Sequence, residues 1–254
     1  MIACPALSAA PSRTEAAVRV VFLVLTTLDE EYKHAHAVYQ ACERKLSIAP
    51  DLIVGHSGFG STLFLRELFQ CPIINYFEYY YHTSNSDLDF RPEFQPTTLD
   101  YLHTRARNAM ILLDLDNCDA GYCPTRWQHS LFPPEFLPKL EVIFDGVDTR
   151  LWYRRKRRKR RIAGQRVGRQ TRVVTYVSWG LEAMRGFDIF MKVARRIDEV
   201  YPDILFVVVV ADQTYYGGHE RYIQHATFKE HVLNQDEYDL RRFCFTGQIP
   251  ASNW

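Results

Sequence analysis

The sequence predicts an α/β protein in which two layers of alternating strand and helix follow each other along the chain. Three observations predict it. Short β-branched runs alternate with segments of helical spacing along the first 150 residues. A second series starts at VVTYVSWGLEAMRGFDIFMK, residues 173–192. Between the two lies RRKRRKRR, residues 154–161, whose like charges repel one another and exclude it from a core.

Taken in order, apolar and β-branched runs place strands at about 18–26, 51–55, 72–77, 120–123 and 140–144. Helical segments fall between most of them. Residues 29–45 and 61–70 are short candidates, and 98–116 is a longer one that sets Leu99, Leu102, Ala106, Met110 and Leu113 on one face. Such alternation argues for parallel β-α-β units with right-handed crossovers. In the second series Val173, Val174, Tyr176 and Val177 read as a buried strand. Phe187, Phe190, Val193 or Ala194, Ile197 and Val200 come next at helical steps, and DILFVVVV closes on a further strand ending at Val210. The expected domains are 1–150, a basic linker at 151–172, and 173–254 as the start of a second layer.

Composition narrows the function classes. With 47% apolar residues in 254, a sizeable core is available, and a net charge of +1 gives no global attraction to nucleic acid or membrane. Six cysteines show neither a CxxC pair nor disulfide-scaffold spacing, which fits free thiols in a reducing, cytoplasmic setting. The patch Val18 to Leu25 is broken by Arg19 and is far shorter than the roughly 20 apolar residues of a span, so no signal peptide or membrane span is expected. His34, His36, His219, His225 and His231 lack HExxH spacing, so no metal is expected; no GxGxxG follows a first strand, which disfavours a nicotinamide dehydrogenase.

In open parallel sheets, ligands bind beyond the carboxyl ends of the strands, which directs attention to three strand-to-helix turns. In DLIVGHSGFGSTLFL, His56, Ser57, Gly58 and Gly60 come after the strand; the glycines permit close approach to the backbone. Ser61 or Thr62 can cap the helix expected from residue 61. In PIINYFEYYYH, Glu78 stands at the strand end beside tyrosines, and a carboxylate with flat aromatic surface suits sugar hydroxyls. In the third turn Arg185 and Gly186 open a helix, where the dipole and unpaired amides attract negative charge and a guanidinium fork suits a diphosphate. Each has a plainer structural alternative: a chain-reversing glycine turn, a tyrosine cluster, a solvated arginine.

The pieces APDLIVGHSGFGSTLFLRELF, INYFEYYYH, TRARNAMILL, CPTRWQHSLFP, VIFDGVDTRLW, VVTYVSWGLEAMRGFDIFM and FCFTGQIP, in that order, resemble bacterial family 4 glycosyltransferases. The resemblance runs from about Ala49 to Pro250, apart from the basic linker. It implies a GT-B fold, in which two Rossmann-like domains face each other and bind acceptor and nucleotide sugar respectively. It also implies a metal-independent, retaining transfer with no cofactor beyond the nucleotide-sugar co-substrate. Carried over by residue, Arg185 and Gly186 match the donor-diphosphate position, and His56, Ser57, Gly58, Gly60 and Glu78 match acceptor-side turns. Asp145 and Gly146 match the interdomain hinge; no catalytic residue is assigned. The implied partners are a nucleotide-sugar donor and a glycan or lipid-linked acceptor, acted on in the cytoplasm or at the periphery of the inner membrane.

The sequence departs from that family in three places. Trp179 stands where a further arginine is common, residues 1–28 do not match the first strand and glycine turn, and the acidic pair of the donor site would fall beyond Gln248. The expectation is a chain shortened at both ends, with little or no transfer activity alone. A non-catalytic fragment, or a binding module whose run 154–161 contacts nucleic acid or anionic membrane, stays open, although no aromatic residue interleaves that run.

Overall fold

The computed structural model describes residues 30–44, 48–58, 62–153, 161–162, 165–215 and 219–249. The strand expected at 18–26, Gly60, Ser61 and residues 154–160 of the basic run therefore lie outside the described residues. By internal contacts the chain divides into two units, Met1–Asp148 and Thr149–Trp254.

The first unit begins with helix α1, residues 30–44. A four-stranded parallel sheet comes next: β1 (Ile53–His56), β2 (Ile73–Tyr76), β3 (Ala120–Cys123) and β4 (Leu140–Val142), paired in that order. Helix α2 (Thr98–Asn117) joins β2 to β3, and α3 (Arg126–Ser130) joins β3 to β4. Thr97 starts α2 with a capping box: its hydroxyl accepts from the Asp100 amide while the Asp100 carboxylate accepts from Thr97 N–H.

One face of this sheet forms the core, where Ile73, Phe77, Cys123 and Leu140 meet Ile111 and Leu115 of α2 and Phe132. Two glycines shape it. A Cβ on Gly121 would lie 2.5 Å from the Phe77 ring, and one on Gly55 would lie 2.1 Å from the Thr62 methyl and 2.7 Å from Asn75 Oδ1. Only a hydrogen there leaves room for Phe77 to cross the sheet, and for the buried Thr62 to Asn75 hydrogen bond of 3.1 Å.

Two expectations need correction. The segment 61–70 is not a helix: its described part holds turns and one 3-10 turn at Leu65–Glu67. Thr62 is tied sideways to Asn75, its carbonyl accepts from Asn117 Nδ2, and Cys71 precedes Pro72 and so disfavours helical backbone. The face of α2 that packs inward is also different. Leu99, Leu102 and Leu113 are 41%, 49% and 49% exposed, whereas Thr104, Asn108, Ile111, Asp114 and Leu115 are buried. Met110 is buried as expected. The run MILLDL is apolar nearly all round, and polar anchoring by Asn108 and Asp114 decides which side turns inward.

The second unit contains the short antiparallel pair β5 (Arg161–Ile162) and β6 (Gln165–Arg166), then a parallel sheet ordered β7-β8-β9. Its strands are β7 (Arg172–Gly180), β8 (Ile204–Ala211) and β9 (Phe243–Phe245), with α4 (Phe187–Val200) between β7 and β8 and α5 (Phe228–Leu233) before β9. The central β8 is buried along nearly its whole length, as a strand covered on both faces must be. On one face of β8, Leu205, Val207 and Val209 alternate and pack with Val167, Cys244 and Ile162. On the other, Phe206 stacks on Phe243 at 4.8 Å and meets Phe190 of α4 edge-on. Ile162 and Val167 belong to the stretch expected as linker, yet these two apolar side chains pack on this core. Helix α4 buries Phe187, Met191 and Ala194 and leaves Val193 and Val200 exposed.

Candidate functional site

At the carboxyl ends of β1 and β2 a cleft of about 460 Å³ opens, lined among others by His56, Ser57, Gly58, Glu78, Tyr79 and Tyr81. Parallel pairing sets this up: His56 lies opposite Tyr76, so the residues after each strand emerge side by side. His56 Nε2 is 3.9 Å from Glu78 Oε2, its Nδ1 is 2.9 Å from the Ser57 carbonyl, and its ring meets Tyr76 edge-on at 4.9 Å. The turn and the strand end expected separately, at His56 and at Glu78, thus share one cleft. Gly58 has φ +89°, a left-handed conformation that favours glycine.

Helix α2 holds both loops from behind. The buried Asn108 accepts from Tyr81 N–H at 2.9 Å and donates to the Tyr81 carbonyl at 2.8 Å, fixing the tyrosine run as a backbone hydrogen-bond pair would. Asp114, 1% exposed, accepts from Gly58 N–H at 3.1 Å. Burial raises the Asp114 carboxyl above the usual carboxylate range, opposed first by the Gly58 amide and then by the nearby Ser57 hydroxyl and His56. Glu31 of α1, which also lines the cleft, is raised by burial and then by Asp114, with Arg107 opposing. Arg107 lies 4.8 Å over the Tyr81 ring. From α3, Gln128 donates to the Glu78 carbonyl at 2.8 Å, and Trp127 lies against Tyr79 at 5.8 Å.

Sequence reasoning misses Asn108, Asp114, Arg107 and Glu31. Arg107 and Asn108 sit inside the piece TRARNAMILL, so a signal is present, but hydrophobic periodicity treats such residues as the outer face. The inward placement of Asn108 and Asp114 depends on the loops they hold, which no local pattern encodes.

Asp145 accepts from the Tyr76 hydroxyl at 3.3 Å. Burial, then the carboxylates of Asp145 and Glu78, push the Tyr76 phenol up to about 12. Gly146 has φ +78°, where a side chain would be strained.

In the second unit, Gly186 has φ +69° and stands as the cap between a 3-10 turn and α4, preceded by Arg185. Arg185 Nε lies 3.6 Å from Oε1 of the fully buried Glu182, and its carbonyl accepts from the Tyr176 hydroxyl at 3.0 Å. Glu182 also accepts from Tyr215 N–H at 3.1 Å, joining the turn after β7 to the turn after β8. Trp179 is 67% exposed and meets Tyr215 edge-on at 6.0 Å. Among the described residues no group of three His, Cys, Asp or Glu is placed to hold a metal ion, and no helix is long and apolar enough to cross a membrane.

A search of the curated proteins finds no match. Two similar solved structures are the S. aureus MnaA–UDP co-structure (11% identity, TM-score 0.44) and one from Listeria monocytogenes described as a UDP-N-acetylglucosamine 2-epimerase (10% identity, TM-score 0.41). Each covers 88% of this chain, and the chain spans about half of theirs, 54% and 53%. A scan against family profiles matches residues 7–152 to the Glycosyl transferase family 4 group. That match reaches ahead of Ala49, where the recognisable pieces begin, and takes in every residue that lines the cleft at the ends of β1 and β2. With more than half of its residues covered by one profile, the chain belongs to the glycosyl transferase family 4 group.

Proposed function

We propose that the chain supplies the acceptor-binding domain, and the first part of the donor-binding domain, of a glycosyltransferase that moves a sugar from a nucleotide-sugar donor to a glycan or lipid-linked acceptor. The observation that carries this reading is the cleft at the ends of β1 and β2, inside the family match, where His56, Glu78 and two tyrosines converge. Carboxylate, imidazole and aromatic surface together suit a polyhydroxylated ligand. In the second unit Arg185 and Gly186, at the start of α4, are the residues for the donor diphosphate. The buried Glu182 beside Arg185 limits the rotamers that the guanidinium can adopt and so orients it. Gly146 is the bend of the hinge. Retention of configuration, independence from metal, and a cytoplasmic setting with peripheral contact to the inner membrane belong to the same proposal.

Titration calorimetry with UDP- and GDP-sugars tests it. In a version of the protein whose donor-binding domain is whole, donor binding is expected, and Arg185→Ala is expected to weaken it by about 1.5–3 kcal/mol, the range for a hydrogen bond to a charged group. Unchanged affinity in the variant removes Arg185 from the donor site.

A further inference from the structure

The charge lining the acceptor-side cleft restricts what can enter it. Glu30, Glu31 and Glu78 all line this space, and the buried Asp114 sits behind Gly58. Against these carboxylates the described lining offers one guanidinium, Arg107, and that group already lies over the Tyr81 ring. The imidazoles of His34 and His56 also line the cleft. Ser57 lines the cleft and is 9% exposed. Its hydroxyl lies close enough to Asp114 to oppose the rise of that carboxyl's pKa and, being neutral, adds nothing to the charge of the lining.

Resting on the reading of this cleft as the acceptor site, we propose that the acceptor end it takes is a neutral glycan, recognised through its hydroxyls, and that it discriminates against phosphate- or carboxylate-bearing ends. Carboxylates accept hydrogen bonds from hydroxyls without penalty, and Tyr79 and Tyr81 supply faces for sugar C–H surface. A phosphate or uronate in the same position would meet three carboxylates at close range in a partly desolvated space, where repulsion exceeds its value in bulk water. A lipid-linked acceptor would then have to present its sugar, and keep its phosphate outside.

The test uses the full chain and two disaccharides of equal size at low ionic strength: N,N′-diacetylchitobiose, which is neutral, and a disaccharide of glucuronic acid and N-acetylglucosamine. Binding is followed by titration in wild type and in Glu78→Gln, a substitution at an exposed side chain. The neutral probe is expected to bind about tenfold tighter or more, and Glu78→Gln to narrow the gap by improving the acidic probe. Equal or tighter binding of the acidic probe overturns the discrimination while leaving the cleft a sugar site. If neither probe binds, the acceptor-site reading fails and this inference falls with it.

Discussion

Asp114 shows how a single side chain can be tuned by the fold around it. It is almost wholly buried, accepts one backbone N–H, and burial raises its pKa. A folded-state value above the unfolded one means that its contribution to stability is fully present at acid pH and is lost as pH rises through the folded value. Asp114→Asn still accepts from Gly58 and cannot ionise, so the variant is expected to gain stability relative to wild type as pH rises from 3.8 towards neutrality. Urea denaturation at several pH values checks this; a gain that does not depend on pH would contradict it. Tyr76 behaves alike at the other end of the scale. Its phenol is raised from 10.0 to about 12, so its share of stability is complete below pH 10 and disappears as pH climbs through about 12. Tyr76→Phe should flatten that alkaline loss when unfolding is followed across the same pH range. His56 and Glu78 can be picked from sequence because they come directly after strand-like runs, whereas Asp114 cannot, since an aspartate in a helix reads as surface until the loop it holds is known.

Among the elements, strands are the most legible, because short apolar runs bounded by turns leave little choice: β3 falls at 120–123 as expected, and β8 is the β-branched run DILFVVVV shifted by one residue. Helix α2 can be located but its inward face cannot. Leu99, Leu102 and Leu113 lose that place to Asn108, Asp114 and Ile111, because polar anchoring of two loops outweighs apolar spacing on a helix with leucines on several sides. The helix expected at 61–70 fails for a related reason, Thr62 being held by its side chain to Asn75 and by its carbonyl to Asn117. Close packing of β2 on β3 depends on Gly121, whose hydrogen faces the Phe77 ring. Gly121→Ala places a carbon 2.5 Å from that ring and 2.7 Å from Leu140. It is expected to destabilise the first unit by about 1–3 kcal/mol, read from the denaturation midpoint. A neutral effect would show that Phe77 can move aside at no cost.

For the molecule as a whole, family membership rests on residues 7–152, and the cleft that gives it chemical meaning lies in the unit Met1–Asp148. The order of the motifs is legible because short, separately spaced pieces recur along the chain; the gathering of His56, Glu78, Arg107 and Glu31 into one space is not, because it depends on parallel pairing and on two helices distant in sequence. The central claim is that this cleft receives the acceptor sugar. Its most direct test is a backbone-amide NMR titration of the chain with N,N′-diacetylchitobiose. Saturable shifts are expected at Ser57, Gly58, Glu78, Tyr79 and Tyr81. Saturable shifts confined to residues 149–254, with these cleft residues unmoved, would contradict the account.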